Sequence, residues 1–67
     1  MINIQINGEI RQVKSSICLE ELIGQLGHAG KRIAVELNGT IVRRDQHAQT
    51  SLHDGDQLEV VVAIGGG

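Results

Sequence analysis

The chain offers few groups able to do chemistry, and the most suggestive of them stand at its end. The apolar stretch Val60-Val61-Val62-Ala63-Ile64 runs into Gly65-Gly66-Gly67, where the sequence stops. Glycine is a poor way to finish a fold, because each one carries the largest backbone entropy to be lost on ordering. It is well suited to a reactive tail. A segment without Cβ atoms fits a narrow channel in another protein, and its reactive group is the carboxylate of Gly67. With a pKa of roughly 3.3–3.7, that carboxylate is an anion at neutral pH and a poor electrophile, so acyl chemistry there requires activation by a partner. The alternative is an ordinary frayed terminus.

Other candidates are weaker. Cys18 stands at the start of a helix, where a thiol pKa is lowered, but a small capping or apolar role is the expectation. His28, His47 and His53 have no spacing of the zinc-binding type, so no metal site is expected and all three read as solvated loop histidines. Arg43-Arg44 is either a solvated pair or a contact for an acidic partner surface.

Composition limits what a body carrying such a tail can be. Sixty-seven residues make one domain that buries only about 60% of its unfolded surface, too little for a cleft-bearing enzyme. The chain has no Phe, Tyr or Trp, so nothing stacks on bases. Its net charge is −2 with scattered basic residues, which gives no basic stripe for a phosphate backbone. Nucleic acid is therefore not an expected partner. The longest apolar run falls far short of a membrane span, and no signal-peptide pattern opens the chain. A lone cysteine in so small a domain points to the cytoplasm.

The elements that position the tail follow from local patterns. Ile2-Asn3-Ile4-Gln5-Ile6 alternates as a half-buried strand, and Asn7-Gly8 is a strong hairpin signal. Glu9 to Lys14 then returns antiparallel, with Ile10 expected on the core face and Val13 less clearly placed. A helix follows: Cys18 as N-cap, Glu21 closing a capping box, and Ile17 with Leu22 as a hydrophobic staple. Leu19, Leu22, Ile23 and Leu26 form its apolar stripe, and Gly27 or Gly30 ends it. Gly24 is either tolerated or marks a close approach. Ile33–Leu37 and Thr40–Val42 make a second hairpin through Asn38-Gly39. Arg43 to Ser51 reads as a polar loop with one short helical turn around Asp45–Ala48. Asp54-Gly55-Asp56 is a turn launching a last strand, whose apolar character implies neighbours on both sides.

Two hairpins, a helix between them and an apolar final strand assemble as an α+β, β-grasp arrangement. It is a mixed sheet of about five strands with one helix across one face, the first and last strands lying parallel in the middle. The sequence resembles the ThiS-like sulfur carriers of the thiamine pathway, members of the ubiquitin-like β-grasp superfamily. The resemblance rests on Ile4–Gly8, Leu19–Leu22, Ala34–Gly39, Ile41-Val42, Asp54–Asp56 and Val62–Gly67, taken in that order. It implies a β-grasp domain over residues 1–64 and a flexible glycine tail over 65–67. It further implies a protein co-substrate without catalytic residues. A ThiF-like adenylating enzyme uses ATP to convert the Gly67 carboxylate into an acyl adenylate, and sulfur from a cysteine desulfurase route then gives a thiocarboxylate. A ThiG-like thiazole synthase accepts that sulfur. No cofactor is bound by the carrier itself. Gly65 and Gly66 thread into the partner, while Val62, Ile64, Arg43 and Arg44, with apolar residues on the sheet face away from the helix, are candidate contacts. The family often has proline and an aromatic where this chain has Arg43 and His47, which bears on partner contacts. A carrier for another acceptor, such as molybdopterin synthase, and a non-covalent β-grasp module are the alternatives.

Overall fold

The computed structural model describes residues 1–62; the expectations for Ile64 and for Gly65, Gly66 and Gly67 fall outside the described residues. The alternating stretch Ile2–Ile6 forms β1 and Glu9–Val13 forms β2, paired antiparallel. Asn7 and Gly8 between them have φ of 51° and 87°, the positive values that a two-residue hairpin turn demands. Ile33–Leu37 (β3) and Thr40–Val42 (β4) repeat the device through Asn38 and Gly39. The last strand, β5 (Gln57–Val62), lies between β1 and β3, parallel to the first and antiparallel to the second. The sheet order is β2-β1-β5-β3-β4, the expected mixed arrangement with β5 in its centre.

One helix, α1 (Leu19–Gln25), covers one face of this sheet. Cys18 is its N-cap, and the Glu21 carboxylate accepts the Cys18 N–H at 3.3 Å to form the capping box. The sulfur is only a weak acceptor in that box. At the other end Gly27, with φ of 81°, reverses the chain. The Gly27 N–H donates to the Gly24 carbonyl and the His28 N–H to the Ile23 carbonyl, each at 3.1 Å, the two bonds of a Schellman stop. Gly24 is exposed, and a Cβ added there would touch nothing within 4 Å, so it is tolerated and marks no close approach. Leu19, Leu22 and Ile23 bury against Ile4, Ile6, Val35, Leu58 and Val60.

Two expectations are corrected. Ile10 is 71% exposed, whereas Val13 is only 4% exposed. The two-residue turn pairs Ile6 with Glu9 and therefore Gln5 with Ile10. Directly opposed residues share a face, so Ile10 joins Gln5 on the side away from α1 and Val13 joins Ile2 on the core side. The second correction concerns His47, which is 6% exposed and not a solvated loop residue. It sits in a 3-10 helix, Arg44–Gln49, longer than the single turn expected. Its Nε2 lies 3.2 Å from the Val42 carbonyl oxygen, which ties the helix to the end of β4. The segment after it runs antiparallel to the residues that lead into α1, with Ser51 opposite Cys18. The Leu19 N–H donates to the Thr50 carbonyl at 2.8 Å and the Leu52 N–H to the Ile17 carbonyl at 3.2 Å, and Leu52 completes the core.

Candidate functional site

Because β5 is the strand that leads to residues 63–67, the site is the set of groups that hold and present it. Its even positions Leu58 and Val60 are buried, while Gln57, Glu59 and Val61 are exposed on the opposite face. Before it, the Asp54–Asp56 turn is tied down at several points. Asp54 Oδ1 accepts the Asn3 N–H at 2.8 Å, Asp56 Oδ2 accepts the His53 N–H at 2.8 Å, and the Gly55 N–H donates to the Asn3 carbonyl at 2.8 Å.

Both asparagines of the Asn-Gly turns reach β5, a role that their reading as turn residues misses. Asn38 holds its start: Oδ1 accepts the Gln57 N–H at 2.9 Å, Nδ2 donates to Asp56 Oδ1 at 3.0 Å, and its own N–H donates to the Gln57 carbonyl at 2.7 Å. Asn7 holds it further along. Its Oδ1 accepts the Val60 N–H at 2.8 Å and its Nδ2 donates to the Val60 carbonyl at 3.1 Å. The only signal was a polar side chain at a turn beside β5, parallel to β1 before Asn7 and antiparallel to β3 before Asn38, which only the register makes visible.

The face of the sheet turned away from α1 carries Ile10 and Ile41, each 71% exposed, and Val61, 62% exposed. Glu36 stands directly opposite Glu59 on that face, and Glu36 is in turn opposite Ile41. Two like charges side by side are unfavourable. The surface therefore combines apolar contact with negative charge.

Of the predicted contact residues, Val62, Arg43 and Arg44 lie among the described residues. Val62 is half-buried at the end of β5, opposite Ile33. Arg43 is largely exposed and pairs with Asp45 at 3.3 Å. Arg44 lines a groove on the helix side with Glu20, Ile23, His28 and His47. Of the three histidines, His53 is exposed, His28 half-buried and His47 buried. No group of His, Cys, Asp and Glu with metal-binding geometry occurs among the described residues, and no helix among them is long and apolar enough to cross a membrane. Cys18 is half-buried at its cap. Beside it, the Glu21 carboxyl titrates below its ordinary value of 4.5, first because it hydrogen-bonds Lys14, at 3.0 Å, and then because it accepts the Cys18 N–H.

The profile of the ThiS family matches residues 4–67. The chain belongs to the ThiS family. Its members are β-grasp sulfur carriers of thiamine biosynthesis. The sulfur carrier protein ThiS of Escherichia coli is 33% identical over 66 residues, covering 98% of this chain and 100% of the relative. The crystal structure of the thiamine biosynthesis protein ThiS from Geobacter metallireducens superposes with a TM-score of 0.83 at 33% identity, over 98% of this chain and 100% of that one. A thiazole synthase from Paramagnetospirillum magneticum is 44% identical over 66 residues. That match covers 98% of the chain but only 20% of the relative, so the chain spans about a fifth of that enzyme's length.

Proposed function

We propose that the chain carries sulfur on Gly67 as a thiocarboxylate and is a co-substrate without catalytic residues. The Gly67 carboxylate attacks the α-phosphorus of ATP in a ThiF-like adenylating enzyme, and pyrophosphate leaves. The terminal sulfur of a persulfide supplied by a cysteine desulfurase route attacks the acyl carbon and AMP leaves; a thiol then cleaves the S–S bond of the acyl persulfide, releasing the thiocarboxylate and leaving a disulfide. Thiazole synthase then takes the sulfur. The observation that carries this reading is the family match, which runs through β5 and the glycines to residue 67. Thiazole synthase as acceptor is supported by the enzyme of that name which holds a segment similar to nearly the whole chain. A bound carrier delivers its sulfur at high effective concentration, which free sulfide lacks.

The body's part is to dock. The sheet face of Ile10, Ile41 and Val61 around Glu36 and Glu59 offers apolar contact to a partner that presents a cation, and it includes Glu59 and Val61 of the strand that leads to Gly67. ATP–pyrophosphate exchange in the presence of a ThiF-like enzyme tests the chemistry. A chain ending at Gly67 should support exchange, and one extended by a single residue should not, since the added residue moves the carboxylate away from the adenylation site. Exchange that persists with the extended chain would sink the reading.

A further inference from the structure

β1 and β5 run together for a short distance. Their register covers only Gln5 with Gln57 and Ile6 with Leu58, and the backbone bonds that flank it include Gln5 N–H to the Asp56 carbonyl and Asn7 N–H to the Leu58 carbonyl, both 2.9 Å. At Asn7 the chain turns away into β2. On its other side β5 is paired with β3 as far as Val62 opposite Ile33. Beyond Leu58 the β1 side of the strand would be open, and there the Asn7 amide takes over. A primary amide presents one donor and one acceptor in a plane, as a peptide unit does. Its bonds to the N–H and carbonyl of Val60 therefore stand in for the next residue of a β1 strand that is no longer there. Among the described residues this is the last side-on restraint on that flank of β5.

We propose that Asn7 is a positioning residue for presentation of the tail: it fixes the line along which β5 leaves the body, and so where Gly67 arrives in a docked partner. The proposal rests on the function argued above. Drawn out in a partner's channel, the seven residues from Val60 to Gly67 would reach about 23 Å. A strand gripped from one side only can tilt or twist, and a small tilt at Val60 grows over that length into a misplacement of the reacting carboxylate. Misplacement of about 1 Å is enough to cost on the order of 100-fold in rate. Docking through the sheet face, in contrast, does not involve Asn7.

The test compares two turns of the same type. Asn7→Gly and Asn38→Gly each keep a residue that accepts positive φ and each remove a side-chain clamp on β5. With the full chain as varied substrate in ATP–pyrophosphate exchange by a ThiF-like enzyme, Asn7→Gly should lower kcat about tenfold or more and leave KM within about twofold. Asn38→Gly, whose clamp lies at the start of β5 and farthest from the tail, should lower kcat by clearly less. Amide hydrogen exchange at Val60 and Val62 should quicken in Asn7→Gly alone. If Asn7→Gly does not fold, Asn7→Asp carries the same comparison, because it keeps the acceptor for the Val60 N–H and loses the donor. Equal kcat for wild type and the Asn7 variant overturns the proposal, as does an equal fall in kcat for both turn variants. A wild-type chain that supports no exchange overturns instead the functional reading beneath it.

Discussion

The two hairpins begin from the same Asn-Gly dipeptide and distribute their pairing in opposite ways. β1 and β2 pair along their whole length, from Ile2 with Val13 to Ile6 with Glu9, yet β1 meets β5 only at Gln5 and Ile6. β3 and β4 pair only from Val35 to Thr40, yet β3 follows β5 from Leu58 to Val62. The first hairpin is firm in itself and loosely joined to the central strand; the second is short and broadly joined. Asn38 continues the β3 ladder one step past Leu37 and Leu58 at the start of β5, whereas Asn7 continues the β1 ladder past Leu58 toward the other end of the strand. Identical sequence signals thus do different work according to where the register runs out.

The sharpest break in this comparison comes from the core beneath each hairpin. Ile4 and Val35 are each 1% exposed. Ile4→Ala should cost about 2–5 kcal/mol. Val35→Ala, which removes less volume, should cost less. Urea titration reads both. In the Ile4 variant β2 should lose protection with β1, since they pair throughout, whereas in the Val35 variant β5 should be affected with β3. Loss confined to one strand in either case would contradict the described pairing.

His47 gives a smaller effect that is specific to the second hairpin. Its bond to the Val42 carbonyl anchors the end of β4, and His47→Ala should cost about 1–3 kcal/mol, the penalty for a buried acceptor left without its partner. Hydrogen exchange should quicken in β4 and the 3-10 helix while β2 is unchanged. Equal quickening in β2 would mean that the hairpins are not independently held.

Much of this organisation was legible in the residues themselves. Alternation in Ile2–Ile6, both Asn-Gly turns, the Cys18–Glu21 box and the Leu19, Leu22, Ile23 stripe are local signals, and each appears where expected. The face of Ile10 was misjudged because a short strand with Ile10 and Val13 three apart cannot obey period two at both; counting back from the turn decides it. His47 was misread because a polar run has no period, and its burial is set by contact with β4, distant in pattern though near in sequence. The Asn7 clamp spans from residue 7 to residue 60, and no local rule contains it. Within the candidate site, the Gly65–Gly67 tail stands as an expectation outside the described residues; the sheet face away from α1 was expected too, but which residues occupy it, Ile10 among them, emerged only from the strand register.

Two changes on α1 leave the difference between hairpins intact and calibrate it. Gly24 is exposed with open space around it, so Gly24→Ala should stabilise the whole domain by about 0.8–1 kcal/mol, raising the thermal midpoint without altering relative exchange rates between β2 and β4. The smallest effect is that of Glu21. Its folded pKa is depressed by Lys14 and the Cys18 N–H, so its contribution is present above the ordinary value of 4.5 and is lost as pH falls through the lowered one. Because the pair is solvent-exposed and screened, the change should be slight. It should vanish in Glu21→Gln, as denaturant midpoints at neutral pH and below the Glu21 range would show. A larger acid sensitivity in the variant than in the wild type would reverse that sign.

The central claim is that sulfur rides on Gly67, and intact mass spectrometry reads it directly. The full chain is incubated with a ThiF-like adenylating enzyme, ATP, a cysteine desulfurase with its substrate, and a thiol reductant, then weighed and fragmented. The account predicts a mass gain equal to replacing one oxygen by sulfur, confined to the C-terminal fragment and dependent on ATP. A chain that supports pyrophosphate exchange but gains no such mass, or that carries added sulfur on Cys18 instead, would contradict it.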